Sequence, residues 1–434
     1  MARLRCLAPA MSVTHVTTPA ERRRAFSILF VSLCCMGAGQ TVLFNILPPL
    51  SRQLHLSEVK TTSVFAVSAA IWVVSATFWG KRSDHWGRKP VMLMGLLSFA
   101  ASFALFASVM LGGLQHWLPA VAVFPLMILA RSLYGALGSG TSPAAQAYVA
   151  DRTTPQERLQ GMATVGSAFG LGTAIGPGIA SVFSPFGLLV PFYFVSGLAL
   201  ASAAAIFFLL PERTPPARFE RPVATIRWHD PRILPFVVFS VVLSTASTVP
   251  VQTMGFFFID MLHVPVSQQP YYISVGQIAS SVAALFAQFV VIRIVKISSR
   301  SMTTVGLVAA LSCSVLFLLT KSFPLLVVAL AAQGLGFGLA RPGFTTGASL
   351  SVAPHEQGAV AGVIGGASAV GFIGGPLIGW MYEQSPYVPY VFCGVLLVAL
   401  VVYQWLSPTL RSAGIIPPDL EIAEEDIETP IANA

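Results

Sequence analysis

The stretch Gly80-Lys-Arg-Ser-Asp84-His-Trp-Gly87-Arg88-Lys89-Pro90 lies between two long apolar segments, residues 61–79 and 91–112. It places four cations, one acid and two glycines in the short connection between two predicted membrane spans. Cations beside the end of a span hold a loop on the cytoplasmic side, and glycines let the backbone turn tightly and neighbouring helices approach. A simple topology anchor needs only the cations, so Asp84 indicates that this connection has a further function.

The composition is that of an integral membrane protein. Of the 434 residues, 55% are hydrophobic and only 10% are charged, and the mean hydropathy is +0.76, whereas a soluble domain carries about 25% charged residues. A helix needs about 20 apolar residues to cross a bilayer. Twelve such runs occur, near residues 26–48, 61–79, 91–112, 119–149, 160–182, 187–210, 233–259, 271–292, 302–320, 323–350, 358–382 and 387–407. An all-α polytopic membrane protein with twelve transmembrane helices is therefore predicted.

The net charge of +8 is explained by topology rather than by binding to nucleic acid. When the N-terminus is placed in the cytoplasm, most of the 25 Lys and Arg residues fall on cytoplasmic segments, as the positive-inside rule requires. Both termini are therefore predicted to be cytoplasmic, in a protein of the cytoplasmic (inner) membrane. The basic segments would also attract anionic membrane lipids.

The five cysteines show neither metal-binding spacing nor a disulfide framework, so no metal and no cofactor are predicted. The basic segment Arg22-Arg23-Arg24 precedes an apolar run, as in a signal peptide. That run is too long and has no small-residue cleavage site after it, so it is interpreted as a retained first span.

The chain divides into two related halves at a Pro-rich, basic segment. One fixed shift of register brings Gly135 onto Gly334, and Gly176-Pro177 onto Gly375-Pro376. An internal repeat of this kind is typical of transporters built from two like halves around a central site. The predicted segments are a cytoplasmic N-terminal segment (1–24), an N-terminal six-helix half (25–210), a cytoplasmic central linker (211–232), a C-terminal six-helix half (233–407) and an acidic cytoplasmic tail (408–434).

The stretch from Gly80 to Lys89 is similar to the signature G-x-x-x-D-x-x-G-R-[RK], which lies between helices 2 and 3 in the major facilitator superfamily. The resemblance extends over nearly the whole chain, from about residue 24 to residue 407. It implies a secondary transporter with two pseudo-symmetric six-helix halves, which rock between inward-open and outward-open forms. The Gly-rich run around Gly176-Pro177 is similar to the motif that marks the antiporter, or drug-efflux, branch of this family.

The resemblance also implies a cytoplasmic gate. Asp84 would meet the start of helix 11, whose N-terminal amides attract an anion, and Asp151 would join Arg88 in one charge cluster. Proline and small residues would let spans 5 and 11 bend and pack closely as one side of the cavity opens or closes. The gating candidates are Gly80, Asp84, Gly87, Arg88, Lys89, Asp151, Gly176, Pro177, Gly375 and Pro376.

Polar residues within the spans are candidates for the substrate cavity and for coupling. The segment Arg131-Ser-Leu-Tyr134-Gly135 is similar to the arginine motif of span 4, and an arginine inside a span is costly unless it is paired or wet, so Arg131 should face the cavity. All 17 acids lie in loops, tails or span ends, so proton coupling has to use one of these acids or competition at Arg131. The substrate and coupling candidates are Arg131, Tyr134, Gln40, Asn45, Gln252, Gln277, Gln333, Arg341, Asp260 and Glu383, with Asp84 and Asp151 as further acids. Two cavity arginines without acid partners suit a neutral or negatively charged substrate.

Export of a small amphipathic molecule in exchange for protons is the function predicted first. The alternatives left open are a dedicated exporter of one metabolite or siderophore, an importer or symporter, and a polytopic membrane enzyme. An enzyme should show clustered His, Asp or Glu near one membrane face, and the sequence contains no such cluster, so a non-enzymatic protein is predicted. The expected partners are a small-molecule substrate, protons and membrane lipids, without nucleic acid, and the expected state is a monomer.

Overall fold

The computed structural model describes residues 19–153, 155–211, 227–295, 298–353 and 356–412. Within these ranges the chain forms twelve helices long and apolar enough to cross a membrane, followed by one short helix, and it forms no strand. The predicted fold class is confirmed. Most of the predicted N-terminal segment, central linker and acidic tail lies outside the described residues, at 1–18, 212–226 and 413–434, so these three segments stay predictions.

The spans follow one another with short connections. They are α1 (Pro19–Gln53), α2 (Glu58–Trp86), α3 (Arg88–Leu114), α4 (Ala120–Ala150), α5 (Pro155–Phe183), α6 (Val190–Leu209), α7 (Leu234–Leu262), α8 (Val266–Ile294), α9 (Ser299–Leu319), α10 (Phe323–Leu350), α11 (Gln357–Gln384) and α12 (Val388–Leu406), and the short helix is α13 (Pro408–Ser412). A bilayer offers no water to backbone N–H and C=O groups, so apolar segments of this length satisfy them internally as helices. Three spans are interrupted: α4 after Gly138, α8 by a π turn at Ala287–Val291, and α11 after Ile373.

The connection between α2 and α3 is a single residue. α2 continues to Trp86 and α3 begins at Arg88, so most of the stretch predicted as a loop is helical. Gly87 makes the turn with a φ of 94°, which residues with a side chain rarely adopt. Gly80 lies within α2, and no atom of the described residues lies within 4 Å of a Cβ position there. Gly80 therefore makes neither the turn nor a close helix contact among these residues, and its gating role stays a prediction. Charged and polar side chains beyond the bilayer do not end a helix, because water solvates them.

Matching glycines make the same contact in the two halves. A side chain at Gly135 in α4 would collide with the carbonyl oxygen of Ser68 in α2, and one at Gly334 in α10 would collide with that of Ser280 in α8. α4 therefore packs on α2 as α10 packs on α8. The predicted pseudo-symmetry of the two halves is confirmed by this correspondence.

Helices α5 and α11 are held to their own halves in a corresponding way. Gly172 in α5 approaches the backbone of Cys34 in α1, and Gly371 in α11 approaches Ser244 in α7. The Ser244 hydroxyl also donates a hydrogen bond to the carbonyl oxygen of Ser368 in α11. In lipid, close backbone approach through small residues is a main source of attraction between helices. Both contacts lie within a half, so each half is a closely packed body.

Each half also has an aromatic core of its own. In the N-terminal half, the ring of Phe103 in α3 packs against Phe192 in α6, with 5.9 Å between the centroids. In the C-terminal half, Phe317 in α9 stacks on Tyr390 in α12 at 4.3 Å and meets Phe257 in α7 at 5.0 Å. These five rings are buried, so their contacts fix the relative positions of the helices within each half.

Gly172→Ala should lower the free energy of unfolding by about 1–3 kcal/mol, because the added methyl group would collide with backbone atoms of Cys34. Gly170→Ala is the matched control on the same helix, since a Cβ atom at Gly170 would have no atom of the described residues within 4 Å. The thermal unfolding midpoint of each variant, purified in the same detergent, measures the difference. Equal midpoints would show that α5 does not pack on α1 at Gly172.

Candidate functional site

The two faces of the bundle are named by the chain ends that they carry. At the linker face, α2 ends at Trp86 and α6 ends at Leu209, shortly before the central linker. At the opposite face, α1 ends at Gln53 and α7 ends at Leu262. A molecule that crosses the membrane through the bundle passes from one of these faces to the other.

Charged and polar side chains join the two halves at the opposite face. Arg52 Nη2 at the end of α1 lies 2.5 Å from Glu58 Oε1 in α2 and 2.6 Å from Asp260 Oδ2 in α7. The Tyr382 hydroxyl in α11 donates to the same oxygen of Asp260 at 2.9 Å. Arg52, Glu58, Asp260 and Tyr382 together form the opposite-face seal. Because Arg52 and Asp260 belong to different halves, their bond breaks when the halves separate at this face.

Helices α2 and α11 pack closely beside the seal. Glu383 accepts a hydrogen bond at 3.1 Å from the backbone N–H of Val59, one of the free N–H groups in the first turn of α2. A side chain at Gly375 or Gly379 in α11 would collide with Thr62 in α2. Both Glu383, predicted as a coupling residue, and Gly375, predicted as a gating residue, therefore lie at the contact between the halves.

The two Gly-Pro pairs of the repeat have different neighbours in the structure. Gly176 packs on Ala38 in α1, within its own half, whereas Gly375 packs across the halves on α2. Pro177 lies inside the continuous helix α5, and Pro376 lies in the first turn of the second segment of α11, which begins at Gly375. The equivalence predicted from the sequence therefore holds for the position of these residues in their helices but not for their partners.

Closer to the centre of the bundle, α1 is bonded to α8 by buried groups. The Asn45 side-chain amide lies 2.9 Å from Ser274 Oγ. The amide orientation that satisfies all of its neighbours has Asn45 accepting from Ser274 and donating to Pro270 O. Phe44 stacks on Phe372 in α11, with 6.0 Å between the centroids. Between described residues of the two halves, the hydrogen bonds and ion pairs lie at the level of Asn45 or nearer the opposite face.

Nearer the linker face, glycines of α5 and α11 have open space around them in the described part of the structure. No described atom lies within 4 Å of a Cβ position at Gly166, Gly170, Gly362 or Gly365, and all four residues are exposed. Among the described residues, the bonds that join the halves are thus concentrated toward the opposite face.

Arg131 is buried in the N-terminal half rather than exposed in the cavity. The residue is 2% exposed, and its Nη2 donates to Gln40 Oε1 at 3.2 Å. Its guanidinium lies 5.5 Å from the Phe103 ring centroid and 5.2 Å from that of Tyr134, contacts that offset part of the cost of burial. Its Nε and Nη1 have no hydrogen-bond partner among the described residues. The expectation that Arg131 faces the cavity is wrong for this arrangement, because the two rings and the partly exposed Gln40 cover it.

Arg341, by contrast, is accessible to solvent within a span. It lies in α10, about 14 Å from the linker-face end of that helix at 1.5 Å per residue. The residue is exposed to solvent, although protein surrounds its guanidinium on most sides. No other described residue forms a hydrogen bond or ion pair with this guanidinium. An accessible guanidinium that no described residue bonds is a candidate for contact with a substrate.

Three further amide side chains predicted for the cavity are buried in the C-terminal half. Gln252 is 3%, Gln277 is 8% and Gln333 is 5% exposed. Gln333 Oε1 accepts a hydrogen bond from the Cys313 thiol at 3.6 Å. Both polar atoms of Gln252 and the Oε1 of Gln277 have no hydrogen-bond partner within the described part of the chain. Since an unsatisfied buried polar atom costs about 1–3 kcal/mol, these groups would bind water or substrate if their surroundings opened.

At the linker face, Arg88 ties the turn between α2 and α3 to the end of α4. Its Nε lies 3.3 Å from Asp151 Oδ2, so the structure brings together the two residues expected in one charge cluster. Lys89 Nζ lies 5.7 Å from the Phe207 ring centroid. Asp84 lies in α2, but its side chain is outside the described part of the structure, so its contact with α11 stays a prediction.

The C-terminal half has a different ion pair at the same face. Arg232, shortly before α7, lies 2.9 Å from Asp230 Oδ2 and 2.9 Å from Glu356 Oε2, just before α11. Hydrogen bonds from Arg232 hold the pKa of Asp230 below the ordinary value of a carboxyl group. These ion pairs were not predicted from the sequence, because the repeated glycines and prolines that align the two halves say nothing about Arg232.

Three members of the opposite-face seal, Arg52, Glu58 and Tyr382, were not predicted as site residues from the sequence. A signal was present: only 10% of the residues are charged, and Arg52, Glu58 and Asp260 occupy three span ends predicted to share a face. Such a concentration of opposite charges in an apolar chain favours an ion-pair cluster.

The described residues hold no group of three or more His, Cys, Asp or Glu side chains that could bind a metal ion. Cys34, Cys35, Cys313 and Cys393 are free thiols.

A family model described as the Major Facilitator Superfamily matches residues 29–376 of this chain, with a second match over residues 279–418. The first match alone covers well over half of the chain and includes the stretch from Gly80 to Pro90. The resemblance predicted from that stretch is confirmed.

Two relatives are similar to this chain over nearly their whole length. Multidrug resistance protein 2 of Bacillus subtilis (strain 168) is 26% identical over 387 residues, which are 87% of this chain and 94% of that protein. Multidrug resistance protein 1 of the same organism is 26% identical over 403 residues, which are 89% of this chain and 98% of that protein. The crystal structure of the nucleoside transporter NupG superimposes with a TM-score of 0.64 at 16% identity, over 89% of this chain and 97% of that chain. At this identity the likeness to NupG shows the fold alone.

Asp260→Asn should shift the protein toward an arrangement open at the opposite face, by about fivefold in population, because it removes the charge that Arg52 holds across the halves. Glu58→Gln is the matched control, since Glu58 also bonds Arg52 but lies in the same half. Double electron–electron resonance between spin labels at His55 and His263, exposed at this face on different halves, measures the separation in a background with the native cysteines replaced by alanine. A longer-distance population is expected only in Asp260→Asn. Identical distance distributions in both variants would contradict the seal.

Arg131→Met should leave the protein as stable as the wild type or more stable, by up to about 3 kcal/mol, because it removes two buried nitrogens that lack partners. Gln40 remains partly exposed and can bond to water. Phe103→Ala, which removes a buried ring beside Arg131, should instead destabilise the protein by about 3–5 kcal/mol. Thermal unfolding in detergent compares the two. A loss in Arg131→Met as large as that in Phe103→Ala would show that the guanidinium is a stabilising group.

Proposed function

This chain belongs to the major facilitator superfamily, and on that premise we propose that it exports a small amphipathic molecule across the cytoplasmic membrane in exchange for protons. Membership of the family makes the chain a transporter rather than an enzyme. Support for export comes from the two Bacillus relatives, which span nearly the whole chain and are named multidrug resistance proteins. The observation that carries the proposal is the opposite-face seal: the described bonds between the halves lie there or at the level of Asn45, from which we infer a central cavity that opens at the linker face.

The linker face is proposed to be the cytoplasmic one. Arg88, Lys89, Arg152, Arg293 and Arg300 lie at this face, and Lys and Arg are enriched on cytoplasmic segments of membrane proteins. In this orientation the cavity opens to the cytoplasm and the seal faces the outside. An exporter in this arrangement is ready to load substrate from the cytoplasm.

Export requires the opposite-face seal to open and the linker face to close. Opening breaks the bond between Arg52 and Asp260, whose side chains are 34% and 26% exposed, so water screens the pair and breaking it costs about 1 kcal/mol. When the halves separate, Arg52 keeps Glu58 as a partner within its half, and Asp260 keeps Tyr382. Neither charge is left alone in either arrangement, so the seal can open and close repeatedly at small cost.

Proton exchange needs an acid whose surroundings change between the two arrangements. The described spans hold no acid away from their ends, so this step is assigned to the acids at the faces. Asp260 and Glu383 each lose a partner across the halves when the opposite face opens, and a carboxylate that loses such a partner becomes easier to protonate. Asp84 and Asp151 are the corresponding acids at the linker face, where the surroundings change when that face closes.

We propose that a single chain is the transport unit. The cavity, the seal and both faces are formed by the two halves of one chain, so no second copy is needed to complete the path. Lipid surrounds the bundle, and the basic linker face would favour anionic lipids on that side.

Substrate binding should release protons from the purified protein, because substrate and protons bind to different arrangements of an exchanger and each lowers the affinity for the other. The measurement uses weakly buffered detergent solution, a pH-indicator dye, and tetracycline, norfloxacin and chloramphenicol as ligands. Release should be lost in one of four variants and kept in the control Asp230→Asn, whose carboxylate bonds Arg232 within the C-terminal half. The four variants are Asp84→Asn, Asp151→Asn, Asp260→Asn and Glu383→Gln.

Transport in proteoliposomes completes this test. An imposed pH gradient should drive movement of a bound ligand from the linker face to the opposite face. Binding without proton release, together with transport that is insensitive to collapse of the pH gradient, would overturn proton exchange. Net movement toward the linker face would overturn export.

A further inference from the structure

Between the charges at the two faces, the ionised side chains of the described spans are cations. Arg131 lies in α4 and Arg341 in α10, whereas the acids of these spans lie at their ends. At 1.5 Å per residue, Arg131 is about 17 Å from the opposite-face end of α4 and Arg341 is about 27 Å from that end of α10. The two guanidinium groups therefore lie at different depths, and Arg341 is the one nearer the open face.

Arg341 is also the guanidinium that a molecule in the cavity can reach. It is exposed and partly enclosed by protein, and it has no hydrogen-bond or ion-pair partner among the described residues. Arg131 is 2% exposed and is covered by Gln40 and two aromatic rings. Since arginine stays protonated in proteins, Arg341 gives this part of the cavity a positive charge that no described neighbour neutralises.

The helices that line the linker-face opening offer apolar surface and space beside this charge. Phe169 in α5 is 38% exposed, and Gly170 next to it has no atom within 4 Å of a Cβ position. Gly362 and Gly365 leave similar space along α11. Binding sites for small molecules combine such apolar walls with a few polar groups that fix the orientation of the ligand.

We propose that Arg341 binds the acidic group of the substrate, and that the transported molecules are amphipathic organic anions such as carboxylates or sulfonates. This inference rests on the proposed export function and narrows its substrate class. A planar guanidinium binds a carboxylate or sulfonate through two parallel N–H···O bonds, a geometry that lysine does not reproduce. A cation in the same cavity meets an unneutralised like charge, and a neutral molecule gains no ion pair, so anions bind in preference to both.

Three dansyl probes that share one ring system test the charge preference: dansylglycine is anionic, dansylamide is neutral and dansylcadaverine is cationic. Their fluorescence on titration with purified protein in detergent gives the Kd of each. The wild type should bind dansylglycine at least about tenfold more tightly than dansylcadaverine. Arg341→Gln should abolish this preference, Arg341→Glu should reverse it, and Arg341→Lys should retain part of it. Arg293→Gln is the control, since Arg293 is an exposed cation at the end of α8 and its loss should leave the preference unchanged.

Equal affinities of the wild type for the three probes, or binding of none of them, would overturn the proposal. An unchanged Kd for dansylglycine in an Arg341→Gln protein with the wild-type unfolding midpoint would also overturn it. If Arg341→Gln does not fold, the wild-type preference and its size in Arg341→Lys decide the matter. Binding in detergent requires neither transport nor a pH gradient, so failure of proton exchange or of export would leave this result standing. Absence of a charge preference in the wild type would count against Arg341 without affecting the export function.

Discussion

The bilayer confines the acids of this protein to the ends of its spans, and the way the two halves are joined follows from that constraint. Ion pairs between the halves can form only at a face, because a charge in hydrocarbon is costly. Between the faces, the halves meet through small residues, aromatic rings and the hydrogen bond of Asn45. Arg52 joins the halves where water still reaches it. Its bond to Asp260 is strong enough to favour one closed face and weak enough to break.

The distribution of close packing explains why the halves can move as bodies. Gly172 and Gly371 bring α5 and α11 into backbone contact with α1 and α7 within a half, whereas no described atom lies within 4 Å of a Cβ position at Gly170 or Gly365. Separating two helices at a backbone contact exposes atoms that lipid packs against less closely than the neighbouring helix does. Separating two exposed charges costs little free energy, because water replaces the partner. Motion between the halves therefore costs less free energy than motion within a half, and this difference is the condition for rigid-body rearrangement.

The fold could be predicted from the sequence because apolar runs of span length and the repeated glycines are local signals, and both are read directly along the chain. The pairing across the halves could not, because no spacing rule specifies which helices face each other. Asp260 was recognised as an acid at a span end, yet its partner Arg52 comes from the other half. Arg131 was expected to contact water because the cost of placing an arginine charge in a span has to be offset. The rings of Phe103 and Tyr134 offset part of this cost in a site that is closed to water. The one-residue turn at Gly87 was missed because polar residues do not reveal where a helix ends outside the bilayer.

Unsatisfied polar groups near the centre of the bundle destabilise the arrangement that the opposite-face seal stabilises. Both amide atoms of Gln252 are buried without a partner among the described residues, beside Gly375, where α11 packs on α2. Burying them costs about 1–3 kcal/mol each, which is comparable with the roughly 1 kcal/mol of the exposed pair between Arg52 and Asp260. Separation of the halves at the opposite face would break that pair and also let water reach Gln252. The free energy lost with the ion pair is therefore offset by hydration of the two buried amide atoms. Two arrangements that differ by only a few kcal/mol are the condition under which a substrate with unequal affinity for them can shift their populations.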